Sequence, residues 1–237
     1  GLVSWWRFDD VITYVYQGAE LKMFKDDAVS TTQFKVSIPS ATFCSTKGGQ
    51  SCPGIAAGKF STALSLDGSQ VAALFNAIDD PSHIVSMNST DALTVEAWIK
   101  PAARGVWPRI LEKGGYERDG GYTFQLDGTG EHISLVVWGK DSATSFGVTG
   151  DTSIALNEWT HVAGTFERQG NSYALKVYVN GKVDGSAQKT VPAGTIVFAP
   201  SSGDVVASIG ARTNLTAAYT GLIDELKVYN KTMSPAE

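Results

Sequence analysis

The sequence predicts an all-β fold, a single antiparallel sandwich of two sheets. The clearest element is the stretch 157–185, in which the apolar runs THVAGTF and YALKVYV are separated by the polar break ERQGNS. From Leu175 to Val179 every second residue is apolar, which is the period of a strand with one face on a core. Asn180-Gly181 then supplies the two positive-φ positions of a type I′ hairpin turn. We expect a meander of three antiparallel strands in the middle of one sheet.

The composition also fits strands that are joined by tight turns. The 237 residues are 43% hydrophobic and 18% charged, and 25 of them are glycine. These values exclude a disordered chain and are low in charge for a helical protein. A chain of this length buries enough surface to fold as one unit without help from a metal or a disulfide. We therefore expect one domain over residues 1–237.

Charge and hydropathy exclude two classes of partner. The chain has 19 basic and 24 acidic residues, a net charge of −5, and no basic cluster with interleaved aromatic residues. Such a surface does not attract a nucleic-acid backbone. No apolar stretch approaches the roughly 18 residues of a membrane span. The sequence opens directly on the strand-like LVSWWRF without a signal peptide, so we expect a mature or excised chain.

Strand-like segments follow one another along most of the chain, about a dozen in all. Residues 10–58 are the exception: VITYVYQ and TQFKVSI are candidate short strands and ELKMFKDD a candidate turn of helix. This stretch is longer than an ordinary connection, so we expect an excursion across one face or edge of the sandwich. In 132–138 both alternating sets are largely apolar, and the pattern leaves open which set faces the core. Other strands are predicted at 2–8, 62–66, 70–74, 93–100, 108–113, 121–127, 205–211 and 222–229.

Cysteines and sequons indicate an extracellular setting. Cys44 and Cys52 bracket the short, glycine-bearing loop STKGGQS, and a disulfide that closes it would stabilise the fold by roughly 2.5 kcal/mol. The alternative is a pair of unrelated thiols. Candidate glycosylation sequons, Asn-x-Ser/Thr, begin at Asn88, Asn214 and Asn230. Both features are typical of proteins outside the cytosol.

The last predicted strand carries a carboxylate among apolar residues. In GLIDELKVYN, Leu222, Leu226 and Val228 are expected to share a face, with Asp224 among them. A carboxylate on an apolar face must be paired, hydrogen-bonded or bound to a cation. Ca²⁺ takes several oxygen ligands in flexible geometry, and two further aspartates lie where strands end in turns. The alternative is that Asp224 caps a turn or pairs with an arginine. The candidate calcium ligands are Asp9, Asp67 and Asp224.

No motif of catalytic chemistry is present. The three histidines are not at metal spacing, and neither a G-x-S-x-G elbow nor a phosphate-binding G-x-x-x-x-G-K occurs. Glycoside hydrolysis needs two carboxylates across a cleft. Glu96 and Glu112 are candidates for such a pair, and exposed strand residues are the simpler interpretation. The sequence therefore favours a protein that is not an enzyme.

Aromatic residues predict a binding function instead. Six tryptophans exceed what a core of this size demands, and several fall at strand ends or on outward faces. Flat aromatic rings suit sugar rings, while basic and phenolic side chains supply hydrogen bonds. For any single tryptophan the alternative is burial in the core. The candidate ligand-binding residues are Trp107, Arg109, Lys113, Tyr116, Trp138 and Arg212.

Several stretches taken in order resemble the laminin G-like jelly roll of the concanavalin A-like lectin/glucanase superfamily. They are GLVSWWRFDD, AGKFSTALSLDG, LTVEAWIKP, RILEKGG, the NEWTHVAGTFE…LKVYVNGK meander and GLIDELKVYN. Each motif alone is weak, but the series is specific and spans almost the whole chain outside the excursion at 10–58.

The resemblance implies two curved sheets in a jelly roll and an extracellular carbohydrate-binding or adhesion module. It also implies a structural calcium where the first and last strands meet, a position that corresponds to Asp224 with Asp9 or nearby carbonyl groups. The acidic motif E-x-D-x-x-E of the glucanase branch does not occur here.

We therefore expect a non-catalytic, calcium-stabilised, lectin-like module that binds a glycan. One alternative is an adhesion or structural domain of a surface or filament protein that makes protein–protein contacts. The other is a polysaccharide hydrolase or lyase.

Overall fold

The computed structural model describes residues 2–9, 11–16, 19–24, 53–69, 72–74, 92–114, 121–139, 145–190, 207–212, 214 and 216–237. Within these ranges the chain forms sixteen strands, and no helix is present there that could cross a membrane. The strands are β1 Leu2–Trp6, β2 Val11–Tyr16, β3 Ala19–Phe24, β4 Gly54–Ala57, β5 Thr62–Asp67, β6 Ala72–Leu74, β7 Ala92–Pro101, β8 Arg109–Gly114, β9 Gly121–Leu126, β10 Ile133–Trp138, β11 Ser145–Thr149, β12 Thr160–Gln169, β13 Ser172–Val179, β14 Lys182–Thr190, β15 Ala207–Ile209 and β16 Thr220–Tyr229.

Two antiparallel sheets form the sandwich. The eight-stranded sheet has the order β14-β13-β12-β7-β16-β5-β4, and β1 also pairs with β16. The six-stranded sheet has the order β11-β10-β9-β8-β15-β6, and β2 and β3 form a separate hairpin. The predicted all-β, two-sheet antiparallel sandwich is confirmed.

The core lies between the two sheets and follows from the alternation of side chains. The odd-numbered residues of Leu93–Ile99 in β7 are fully buried, as predicted. In β10 the odd-numbered residues of Ile133–Val137 belong to the core, which decides the face that the pattern left open. Gly164 interrupts the apolar run of β12 because a Cβ there would lie 3.2 Å from the side chains of Leu135 and Phe124. The glycine lets the two sheets approach each other at this point.

The meander predicted at 157–185 is formed by β12, β13 and β14. Asn180 and Gly181 have φ values of 49° and 75°, so the predicted hairpin turn with two positive-φ residues is confirmed. The predicted place of the meander was wrong, because β14 is an edge strand of the eight-stranded sheet. The local pattern specifies how neighbouring strands pair, but it does not say what lies beyond them.

Strand β16 changes its partner half-way along one edge. Residues 220–223 pair with β5, and residues 226–229 pair with β1. On the other edge β16 pairs with β7, with a register shift between Asp224 and Lys227. Glu225 has a φ of 51°, as expected of a β-bulge.

The bulge reverses the alternation of side chains in β16. Ile223 and Leu226 both belong to the core, whereas Leu222 is only half-buried and lies outside the core cluster. The expectation that Leu222 shares a face with Leu226 and Val228 was therefore wrong. An extra residue in one strand shifts every side chain beyond it to the other face.

Three short elements differ from the expectations. ELKMFKDD contains β3 rather than a turn of helix, and β4 and β11 were not predicted as strands. Both missed strands are short, and glycine opens β4 and interrupts β11, which weakens the alternating pattern. TQFKVSI lies outside the described residues.

Candidate functional site

Polar side chains line the outer face of the six-stranded sheet. A register shift between Arg109 and Leu111 adds one residue to β8. Arg109 therefore pairs with Gln125 while Glu112 pairs with Thr123, and Arg109 and Glu112 share the outward face although three positions separate them. Without this bulge, alternation would place the two side chains on opposite faces.

Arg109 is a buried residue of this face and holds its neighbours through hydrogen bonds. Its side chain is only 3% exposed. Its Nε donates to Glu112 Oε2 at 2.6 Å, and its Nη1 donates to the carbonyl of Trp107 at 2.9 Å and also to Gln125 Oε1. Burial lowers the pKa of the Arg109 guanidinium below its ordinary value, although the Glu112 carboxylate counteracts this effect. Because these donors are engaged, Arg109 positions the backbone of Trp107 rather than offering itself to a ligand.

Trp107 is the exposed aromatic residue next to this face. It is 45% exposed and its neighbour Val106 is 71% exposed. The backbone of Trp107 has a φ of 56°, which is uncommon for a bulky residue. Its N–H donates to the carbonyl of Asp127 at 3.2 Å. A Cβ at Gly128 would lie 3.2 Å from Cε2 and Cζ2 of the indole, so this ring lies against the bare backbone of residue 128.

The turn beneath Trp107 is organised by Asp127. Its Oδ1 accepts the N–H groups of Thr129, Glu131 and His132, and its Oδ2 lies 3.0 Å from His132 Nδ1. Although burial alone would raise the pKa of Asp127, these partners hold it well below its ordinary value. An ionised carboxylate with this many donors fixes the turn, and with it the position of Gly128.

Arg104 connects three loops at the same end of the sandwich. Its Nη1 donates to the carbonyl of Gly130 at 2.8 Å and its Nη2 to the carbonyl of Ile154 at 2.7 Å. A Cβ at Gly130 would lie 2.6 Å from the carbonyl oxygen of Gly105, so two of the loops are in direct backbone contact. We call the loops 102–108, 127–132 and 150–159 the Trp107 rim.

Two other predicted ligand residues lie farther along the outer face. Trp138 is half-buried and its Nε1 donates to Thr123 Oγ1 at 3.0 Å. Arg212 Nε lies 3.7 Å from Glu112 Oε2, and the Arg212 side chain is 27% exposed. The structure thus brings Trp107, Arg109, Trp138 and Arg212 to one side of the molecule.

Lys113 does not join them. It follows Glu112 in β8 and pairs with Tyr122 of the core, so alternation directs it to the inner face. It is 3% exposed, and burial lowers its pKa to about 8. The sixth predicted residue, Tyr116, lies outside the described residues.

Two of the three predicted calcium ligands flank the turn between β4 and β5. Asp224 is 0% exposed, and its Oδ2 accepts the backbone N–H groups of Lys59 and Phe60 at 2.8 and 2.9 Å. Asp9 Oδ1 accepts the N–H of Thr62 at 3.0 Å, and Asp9 Oδ2 pairs with Arg7 at 2.8 Å. Although burial alone would raise the pKa of Asp9, these contacts lower it.

The third predicted ligand lies elsewhere. Asp67 ends β5, and its Oδ1 accepts the N–H and hydroxyl groups of Ser69. Five residues of strand separate it from Thr62, or roughly 16 Å, whereas the ligands of one calcium ion all lie within about 2.6 Å of it. In the described ranges no three acidic, histidine or cysteine side chains are grouped to hold a metal. Asp9, Asp67 and Asp224 therefore do not fit a single calcium ion, although Asp224 Oδ1 is buried and has no hydrogen-bond partner there.

The modification sites are only partly within the described chain. Asn214 is exposed, and its Oδ1 accepts the N–H of Thr216 at 3.1 Å and its hydroxyl at 2.6 Å. Asn230 is also exposed. Asn88, Cys44 and Cys52 lie outside the described residues, so the disulfide and this sequon stay predictions.

The sequence named Glu112 only as a candidate catalytic carboxylate, and Arg104, Gln125 and Asp127 were not predicted as parts of the site. Asp127 had a usable signal, because Asp-Gly between two strands indicates a tight turn. Arg104 had none, since both of its carbonyl partners belong to distant loops.

Comparison with known proteins places this architecture in a family. A laminin G-type profile described as the concanavalin A-like lectin/glucanases superfamily matches residues 76–237. The chain belongs to this superfamily. A search of curated proteins finds no match.

Solved structures share the fold of this superfamily member at low sequence identity. Domain 4 of AbnA, an extracellular GH43 arabinanase from Geobacillus stearothermophilus solved with arabinotriose, is 22% identical with a TM-score of 0.56 and covers 79% of each chain. The CBM40 of the Ruminococcus gnavus IT-sialidase, bound to α2,3 sialyllactose, is 12% identical with a TM-score of 0.52, over 68% of this chain and 88% of that one. The binding domain of Paraclostridial Mosquitocidal Protein 1 is 14% identical with a TM-score of 0.52, over 78% of this chain and 44% of that one.

Proposed function

We propose that this chain is a non-catalytic carbohydrate-binding module that contacts sugar through Trp107. The observation that carries the proposal is an indole that is 45% exposed and rests on the backbone of Gly128. A flat aromatic face of this kind stacks on the apolar face of a sugar ring. Because the backbone of Trp107 is already fixed, little conformational entropy is lost when the sugar binds.

The lectin-like fold supports a glycan as the partner. Two of the similar solved structures hold arabinotriose and sialyllactose, and we extend this ligand class to the present chain. An extracellular setting belongs to the same proposal, on the basis of the predicted disulfide and sequons.

The positions of the candidate catalytic carboxylates support a non-catalytic role. Glu96 lies on the outer face of the eight-stranded sheet, where its Oε2 is 3.2 Å from His161 Nε2. Glu112 lies on the outer face of the six-stranded sheet and pairs with Arg109. The two sheets of a sandwich pack about 10 Å apart, so the outer faces are farther apart than the roughly 5–9.5 Å that separates a glycosidase pair.

A glycan array followed by calorimetric titration of the strongest hit tests the proposal. The substitution Trp107→Ala should weaken binding by about 30-fold, the effect of losing an aromatic residue worth roughly 2 kcal/mol. Phe60→Ala is the matched control because Phe60 is 52% exposed but lies in the β4–β5 turn, away from the Trp107 rim. Binding that survives Trp107→Ala, or that is lost equally in both variants, would refute the role of Trp107.

A further inference from the structure

We propose that the outer face of the eight-stranded sheet carries a second ligand site, a groove at Lys100 that binds a carboxylate-bearing sugar residue such as a hexuronate. The inference shares only its ligand class with the proposed function. The strands of the groove belong to a different sheet from the outer face next to Trp107, and the two sites come nearest at Ala102 and Asn157 of the rim loops. Separate variants therefore test the two sites.

The groove is formed by three neighbouring strands and two loops. Ser65 of β5, Leu222 of β16 and Lys100 of β7 stand side by side in register across the sheet. Ala102 and Asn157 also line the groove, which is open to solvent and has a volume of about 270 Å³. This volume is just below the roughly 300–1,000 Å³ of drug-sized ligand sites, so it suits a single sugar residue rather than a longer chain.

Lys100 gives the groove its charge. Another outward-facing lysine of this sheet, Lys227, lies 3.2 Å from Glu225 and 3.9 Å from Glu96. Lys100 is half-buried and makes no ion pair in the part of the chain that the structure describes. A cation that lines a groove and has no counter-charge there favours a ligand that brings an anion.

The remaining walls favour a sugar over a simple anion. Asn157 has a φ of 62° and its N–H donates to the carbonyl of Pro101 at 2.7 Å, which fixes its backbone at the edge of the groove. Its amide and the hydroxyl of Ser65 each offer donors and acceptors, and Leu222 supplies an apolar surface. A bare anion would leave these groups unused, and a neutral sugar would leave Lys100 without a partner.

Ligand titrations that monitor backbone amide resonances by NMR test this site directly. With sodium glucuronate as the probe, the resonances of Lys100, Asn157 and Leu222 should shift in a saturable manner. At equal ionic strength, glucose and sodium acetate should bind about tenfold more weakly, since each lacks one part of the contact set and a charge-assisted hydrogen bond contributes about that factor. An equal response to acetate would show a general anion site and overturn the proposal.

Two variants connect the response to the groove. Lys100→Gln should abolish the preference for glucuronate over glucose, and Lys100→Arg should retain it. Trp107→Ala should leave the glucuronate response unchanged, so a failure of the proposed function does not affect this result. A preference for glucuronate that persists in Lys100→Gln, with an unchanged unfolding midpoint in urea, would overturn the assignment.

Discussion

Asp224 Oδ2 accepts the backbone N–H group of Phe60 at 2.9 Å, although 164 positions separate the two residues. The contact occurs where β16 leaves β5 and begins to pair with β1. The neighbouring Glu225 accepts the Nε1–H of Trp5, in β1, at 2.8 Å. Two consecutive acidic residues at one bulge therefore hold the β4–β5 turn and the first strand on either side of the partner change.

This arrangement predicts a pH-dependent stability. Burial raises the pKa of Asp224 to about 6 from an ordinary value of 3.8, although the N–H groups of Phe60 and Lys59 counteract it. The folded protein thus binds the proton of Asp224 more tightly than the unfolded chain does. The contribution of Asp224 to the free energy of unfolding therefore falls as pH rises from about 4 to about 6. The difference between the two pKa values corresponds to about 3 kcal/mol.

Asp224→Asn isolates this contribution. The variant cannot titrate at this position, so the free energy of unfolding of the wild type minus that of the variant should decrease between pH 4 and pH 6. Urea unfolding at pH 4, 5, 6 and 7 measures the difference. Parallel pH profiles for the two proteins would contradict the assignment of the raised pKa to Asp224.

The sequence predicted local pairing well. In β12–β14 the alternation of side chains and the Asn180-Gly181 turn describe contacts between residues that are close in sequence. The same is true of β7, where every predicted inward residue is buried. Such patterns determine the class of fold and the pairing of neighbouring strands.

The site was predicted less completely, because a local sequence pattern shows neither where a bulge occurs nor which loops contact each other. One extra residue in β8 brings Arg109 and Glu112 to one face and turns Lys113 inward. A second bulge, in β16, moves Leu222 outward. The partners of Arg104 depend on how three separate loops meet, which no single segment of sequence encodes.

Substitutions at two glycines of the Trp107 rim should affect glycan binding and stability separately. The three atoms nearest to a methyl group at Gly128 would all belong to the indole of Trp107, at 3.2–3.4 Å, and this half-exposed ring can shift. Gly130 has a φ of 72° and a Cβ there would lie 2.6 Å from the backbone of Gly105. We expect Gly128→Ala to weaken glycan binding with a small effect on stability, and Gly130→Ala to cost at least about 1–2 kcal/mol of stability.

Calorimetric titration and urea unfolding of both variants check this pair. The contrast between them is the informative result, since each serves as the control of the other. Unchanged glycan affinity in Gly128→Ala would mean that the position of the indole does not matter for binding.

Arg104 should contribute to the stability of the rim through its two carbonyl partners. Arg104→Met leaves the carbonyls of Gly130 and Ile154 without these donors, at a cost of about 1–3 kcal/mol. Arg168 is a suitable control, because its Nε donates to the carbonyl of Gly170 at an exposed turn and its guanidinium lies 5.9 Å from the centre of the Tyr173 ring. Arg168→Met should change stability by less than about 1 kcal/mol. Equal losses in urea unfolding would show that Arg104 has no special role in the rim.

Calcium is tested by melting the protein with and without a chelator. A site of about 10 µM affinity in about 1 mM calcium adds about 2.7 kcal/mol of stability, or roughly 5–10 °C in Tm for a chain of this length. The only predicted ligand with a buried oxygen that lacks a hydrogen-bond partner in the described chain is Asp224. Asp224→Asn should therefore remove the change in Tm. Asp67→Asn should keep it, because Asp67 lies at the far end of β5, roughly 16 Å along the strand from Thr62, which Asp9 contacts. A Tm that does not change with chelator would exclude the calcium site, and a response that survives in Asp224→Asn would place the ion elsewhere, because the carboxylate at the bulge would then not be its ligand.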